Sequence, residues 1–260
     1  MRVSRRVKAY LIEFVLLFLA VFLGFLADNL REKTAEKEKE EEYVISLMND
    51  INSDKETLQE VIKSNIQRKA ELDTLSNLCF DYAQNKNLVP RLYEKYLNLI
   101  VRPEFFIPNE STMLQLTYTG GIRLIKNREV VDAVLEYSQF KNIVKEQQKY
   151  CEEYQMKTID MGLKIFKQNQ YKKMFENQRL RPHEELNQID FELIESNEKM
   201  MRVFGNEVHF YAEVIEYYKI LLGESEKMTD SLLIVLENAY AGISKKEEYE
   251  MGLPYGIRSR

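Results

Sequence analysis

No tryptophan, two histidines and two cysteines occur in the 260 residues of this chain, with only nine glycines and five prolines. Scarce histidine and cysteine withhold most of the material for common catalytic and metal centres. Scarce glycine and proline remove the turn punctuation of an all-β fold and leave a helical composition. An excess of positive charge is also lacking. Lys and Arg number 37 against 42 Asp and Glu, a formal net charge of −5, so no nucleic-acid partner is expected. Neither G-x-x-x-x-G-K-[ST] nor G-x-G-x-x-G occurs, and Gly120-Gly121 lacks the Lys and Ser/Thr of a phosphate loop. No Ser or Cys stands in a recognisable nucleophile context. The chain thus reads as a non-enzyme without a cofactor.

What is present begins at the N-terminus. Arg2, Arg5, Arg6 and Lys8 form a basic tip over residues 1–8, followed by an apolar run from Ala9 to Ala27 that stops at Asp28. At about 1.5 Å per helical residue the run spans roughly 28 Å, close to the ~30 Å hydrocarbon core of a bilayer. It reads as a retained transmembrane helix (9–27). A signal peptide wants a shorter core and small residues before the cut, where this chain has Phe25. The basic flank puts the N-terminus in the cytosol and the bulk of the chain outside it. The expected location is therefore the inner membrane, single-pass, with a periplasmic domain and membrane lipid as the first partner.

Residues 28–42, ending REKTAEKEKEEE, offer almost nothing apolar and read as a solvated charged helical stalk, with no side chain able to face a core. From 43 to 243 apolar residues recur every three or four positions. Val44, Leu47, Met48, Ile51, Leu58, Val61, Leu72 and Leu75 mark a first long helix that hesitates between Asn49 and Asp54. A shorter helix follows over about 91–101, then an ordered connector, Pro103 to Pro108, that packs its aromatics. A helix start at Asn109-Glu110-Ser111, a stop at Gly120-Gly121 and a new start at Asn127 come next. The second long helix runs from Asn127 towards Phe166, and 168–189 reads as a loop or frayed helix ends. A third long helix covers about 190–222, closed by Gly223, and a fourth covers 228–241. The expected fold class is all-α: a four-helix-like bundle on a stalk, with a weakly ordered tail at 244–260.

Glu13, Ala20, Gly24 and Ala27 fall on one side of the apolar helix. Small residues spaced this way let helices approach closely in lipid, so this face is a candidate for assembly with a second copy or with other envelope proteins. An accident of composition and a proton or ion path through Glu13 are the alternatives. Cys79 and Cys151 are a possible disulfide in an oxidising compartment, although both lie in apolar helical patterns that favour buried free thiols. His209 with Glu213 one turn on, and Glu216 beyond, offers two ligands to a metal but lacks the repeated Glu-x-x-His of di-iron bundles. His183-Glu184-Glu185 lacks the second histidine of a zinc protease helix. No metal is expected. The functional expectation is a membrane-anchored scaffold or interaction protein. The alternative is a ligand-binding, sensor-like bundle that relays through a separate partner.

The stretch Glu13-Phe14-Val15-Leu16, then Asn29 and Glu32, then Glu42-Tyr43-x-x-x-Leu47-x-x-Asp50-x-x-x-Asp54, resembles the opening of a family of uncharacterised single-pass membrane proteins found in Bacteroidota. Ser111-Thr112 through Thr119-Gly120-Gly121-Ile122-x-Leu124-Ile125-x-Asn127 is similar to that family's mid-chain segment. Leu30 replaces a usual Trp, and Ala20 a frequent Gly. The resemblance covers roughly the first 130 residues. It implies an inner-membrane anchor with a helical extracytoplasmic domain, and no activity.

Overall fold

The computed structural model describes residues 5–242, with side chains from Tyr10 onward. The side chains of the basic tip and the tail at 244–260 lie outside the described residues. Among the described residues the protein is all-α apart from one hairpin of two-residue strands. In chain order the helices are α1 (Arg5–Asp81), α2 (Val89–Ile100), α3 (Ser111–Thr119), α4 (Arg128–Gly162), α5 (His183–Leu186) and α6 (Glu198–Ala239). Among the described residues three helices are long, not four.

The differences from the expected pattern have physical causes. α1 runs 77 residues without the expected hesitation at 49–54, because Ile51 and Asp54 both point into protein and keep their turn packed. Gly223 does not close a helix: α6 continues through it for 42 residues. A glycine inside a helix costs about 1 kcal/mol. Leu222, Ser225 and Thr229 on either side are fully buried, and one buried leucine offsets that cost with about 1.5–3 kcal/mol. Residues 190–197 are irregular rather than helical. Ile194 donates its N–H to the Ile165 carbonyl, Phe166 bridges to Leu193, and α6 starts only where Asn197 Oδ1 accepts from the Lys199 amide at 2.8 Å. Residues 168–189, expected as a loop or frayed helix ends, hold a 3₁₀ segment, the hairpin Phe175–Glu176 with Arg179–Leu180, and α5. The hairpin turns through Asn177 and Gln178, both at positive φ, as a two-residue primed turn requires.

The chain forms two compact units. One takes its described residues from Met1–Asp50, Glu110–Asp132 and Val235–Arg260. Its core is Val44, Leu47, Met48, Leu116, Ile125, Val130 and Leu236. The Asp50 carboxylate accepts from the Thr112 amide at 3.0 Å and from Ser111 Oγ, putting negative charge at the N-terminus of α3, where the helix dipole favours it. Gly120 ends α3 at φ +68°, a conformation open to glycine. The stalk also enters this unit. Glu40 is buried and accepts from the Lys126 amide at 2.7 Å and from Tyr240 Oη at 2.6 Å. A charged stretch can therefore face a core where donors await it, contrary to the composition-based expectation.

The other unit is Ile51–Asn109 with Ala133–Ile234. Its centre is aromatic. Tyr96 stacks on Phe166 at 4.3 Å and meets Phe204 edge-on, while Tyr93 stacks on Phe191 at 4.9 Å. Tyr96 donates to the Ile159 carbonyl at 3.0 Å. The Pro103–Pro108 connector is ordered as expected: the Phe106 amide donates to Tyr218 Oη at 2.9 Å, and Gln148 donates to the Phe106 carbonyl at 2.6 Å. Gly162, the last residue of α4, lies flat against the Tyr96 ring, and a Cβ there would overlap it. Gly162→Ala is expected to lower unfolding free energy by about 1–3 kcal/mol, because a closely packed ring must move. Chemical denaturation checks this, and an unchanged midpoint would show that the ring yields freely.

Candidate functional site

The apolar run lies at the start of α1, and the candidate assembly residues lie within it. Every large apolar side chain from Tyr10 to Leu26 is exposed, and none of this segment is buried by the other described residues. Among the described residues this is the one helix long and apolar enough to cross a membrane. At 100° per residue, Glu13, Ala20, Gly24 and Ala27 fall within about 60° of one another, while Phe22 lies opposite Glu13. All four are exposed, and a Cβ on Gly24 would meet nothing within 4 Å. A flat strip thus runs along an otherwise bulky Leu/Phe surface.

The two cysteines are free and buried. The Cys79 Cβ packs against Gly205 of α6, whereas Cys151 Sγ lies 3.9 Å from the Val214 carbonyl. Those contacts are nine residues apart on α6, or about 13 Å along its axis, too far for disulfide geometry. Burial pushes the Cys151 thiol up to about 12 and raises Cys79 as well, so both stay protonated and unreactive.

A buried charged cluster, unforeseen in the sequence, sits between α1 and α4. Asp54 accepts from the Asn109 amide at 2.6 Å and from Tyr137 Oη at 2.8 Å, and lies 3.6 Å from Lys141 Nζ. Burial raises the Asp54 carboxyl above its ordinary value, opposed by the Asn109 amide, Lys141 and Tyr137. The same burial raises Tyr137. Both members of the ion pair are almost wholly inaccessible, which fits a structural role in holding α4 to α1.

A cleft of about 280 Å³ opens between the middle of α1 and the C-terminal end of α2, lined by Ser64, Arg68, Glu71, Lys95, Asn98 and Arg102. The Arg68 guanidinium donates to the Leu99 carbonyl at 3.0 Å, to the Asn98 carbonyl and to Tyr211 Oη. It caps the last turn of α2, and all its partners are neutral. Lys95 is neutralised by Glu71 at 2.6 Å.

His209 and Glu213 are exposed on α6, and the structure adds a residue that the sequence did not single out: Asp73 of α1, whose carboxylate converges on the same point. Glu216 instead pairs with Lys219 at 2.7 Å. His183 Nδ1 lies 2.8 Å from Glu94, and among the described residues the pair belongs to no group of three metal-ligating side chains. A charged residue on an apolar stripe was the available signal for Asp54 and Lys141. No signal existed for Asp73, a half-buried residue of α1 that lies 136 residues from His209. Compared with family models, with curated proteins and with solved structures, the chain matches none.

Proposed function

We propose that this chain is a single-pass, membrane-anchored helical scaffold of the inner membrane, with its N-terminus cytosolic and residues 43–243 in the periplasm. One observation carries the reading: a helix surface from Tyr10 to Leu26, apolar except for Glu13, has none of its large apolar side chains covered by the described residues. Folded soluble proteins rarely expose more than a few hundred Å² of contiguous apolar surface, so lipid or other helices cover this one. The basic residues before it set the orientation. The resemblance to the Bacteroidota membrane family, carried by the residues from Glu13 to Asp54, points the same way. The strip of Glu13, Ala20, Gly24 and Ala27 supplies the face on which copies, or other envelope proteins, assemble. A second reading, capture of a small ligand, is favoured by the Arg68 cleft. That cleft lies just below the ~300 Å³ at which ligand pockets usually begin, so the scaffold reading ranks first.

Disulfide crosslinking in native membranes tests assembly cleanly, because the native thiols stay protonated and buried. Gly24→Cys is expected to give a dimer band under mild oxidation, and Phe22→Cys, on the opposite side of the helix, is not. Equal crosslinking at both positions, or none at either, rules out the face.

A further inference from the structure

We infer that Asp73, His209 and Glu213 form a surface binding site for a divalent transition metal, zinc by preference, in which Lys69 is a tethered cation that the metal displaces. This does not rest on the membrane reading, since all four residues belong to the unit formed by Ile51–Asn109 and Ala133–Ile234.

His209 and Glu213 are four residues apart on α6, so they project from one face a single turn apart. Asp73 reaches the same point from α1, and the three ligand atoms lie within 4.8 Å of one another. Around a tetrahedral zinc at its usual ligand distances, donor atoms are roughly 3.3 Å apart. Exposed side chains close the remaining gap by rotamer adjustment, with no backbone movement. The site already carries positive charge. Lys69 Nζ lies 2.7 Å from Asp73 Oδ2 and 3.4 Å from Glu213 Oε1.

The Lys69 ammonium donates to the two carboxylates and leaves the imidazole nitrogen, which has a lone pair to offer, without a partner. His209 makes no hydrogen bond or ion pair among the described residues. A divalent metal engages all three ligands with twice the charge, and Lys69 has a flexible stem that swings away into solvent. One imidazole and two carboxylates, with a fourth position open to water, suit zinc or cobalt(II). Calcium and magnesium want more oxygens and no nitrogen.

The test uses the full-length protein in detergent, titrated with zinc by calorimetry and with cobalt(II) by visible absorption. One metal per chain is expected. His209→Ala weakens zinc binding by about tenfold or more and removes the cobalt bands. Lys69→Met strengthens binding several-fold, because no tethered cation competes. His183→Ala, at the other histidine, leaves binding unchanged. Circular dichroism melts confirm that the exposed-site variants remain folded. No zinc binding at millimolar metal, or binding that survives His209→Ala, overturns the site. Unaltered affinity in Lys69→Met overturns the displacement.

Discussion

Deletion of residues 9–27 is expected to move the protein from the carbonate-resistant membrane pellet to the soluble fraction, with the rest of the helical structure intact. The effect is large because the energy at stake is large. Removing one Val, Leu, Ile or Phe side chain from water contributes about 1.5–3 kcal/mol, so the run from Tyr10 to Leu26 amounts to tens of kcal/mol. Glu13 opposes insertion by only about 2.5–3.5 kcal/mol even at the membrane centre, and less near its edge. Anchoring therefore wins by a wide margin, and no single polar substitution should reverse it. The deletion leaves the described packing untouched, since none of the side chains from Tyr10 to Ala27 is buried among the described residues. Helix α1 is held from Glu40 onward by its own hydrogen bonds and by Val44, Leu47 and Met48. Fractionation followed by circular dichroism checks both halves. A deleted protein that still sediments with membranes, or a native one that washes off in carbonate, would defeat the anchor reading.

Much of the helical layout was legible because its signals are local. Three- and four-residue apolar spacing locates α1, α2 and α4, Asn127 opens α4 with its own side chain, and Gly120 closes α3. Where local signals failed, tertiary packing had overruled them. Gly223 and the polar Glu224 to Lys227 look like a turn, yet Ser225 and Thr229 are buried on the same helical face as Leu222, and the helix passes straight through. The stretch before Glu198 looks helical, yet it is pulled out by Tyr93, which donates to the Glu192 carbonyl at 2.6 Å. Sites are harder to read than elements. Glu13, Ala20, Gly24 and Ala27 share a face by periodicity alone, so the sequence reveals them. The convergence of Asp73 on His209 is set by how α1 packs on α6, and no spacing encodes it.

Asp54→Ala is expected to destabilise the protein by about 3–5 kcal/mol, the usual consequence of stranding one half of a buried ion pair. Lys141 is 4% exposed, and without the carboxylate its ammonium keeps the Asn109 carbonyl at 3.4 Å and the Tyr137 ring at 4.8 Å, neither of them a counter-charge. The Tyr137 hydroxyl and the Asn109 amide lose their acceptor in the same step. Lys141→Met should cost less, because the Asp54 carboxyl left behind, its pKa already raised by burial, neutralises by taking up a proton. The double variant Asp54→Ala/Lys141→Met should then be more stable than Asp54→Ala alone, since the stranded charge is gone. The pH dependence adds an independent check. The folded-state pKa of Asp54 is raised, so the native protein holds this proton more tightly than the unfolded chain does. Its contribution therefore favours folding in acid and declines as pH rises from the ordinary carboxylate range through the raised value. The stability advantage of native protein over Asp54→Asn should accordingly shrink across that window and level off above it. Urea unfolding of both proteins at several pH values measures the difference. An advantage that grows with pH would mean that Lys141 outweighs burial at this site, and a double variant as unstable as the sum of its singles would mean that the two charges do not act as a pair.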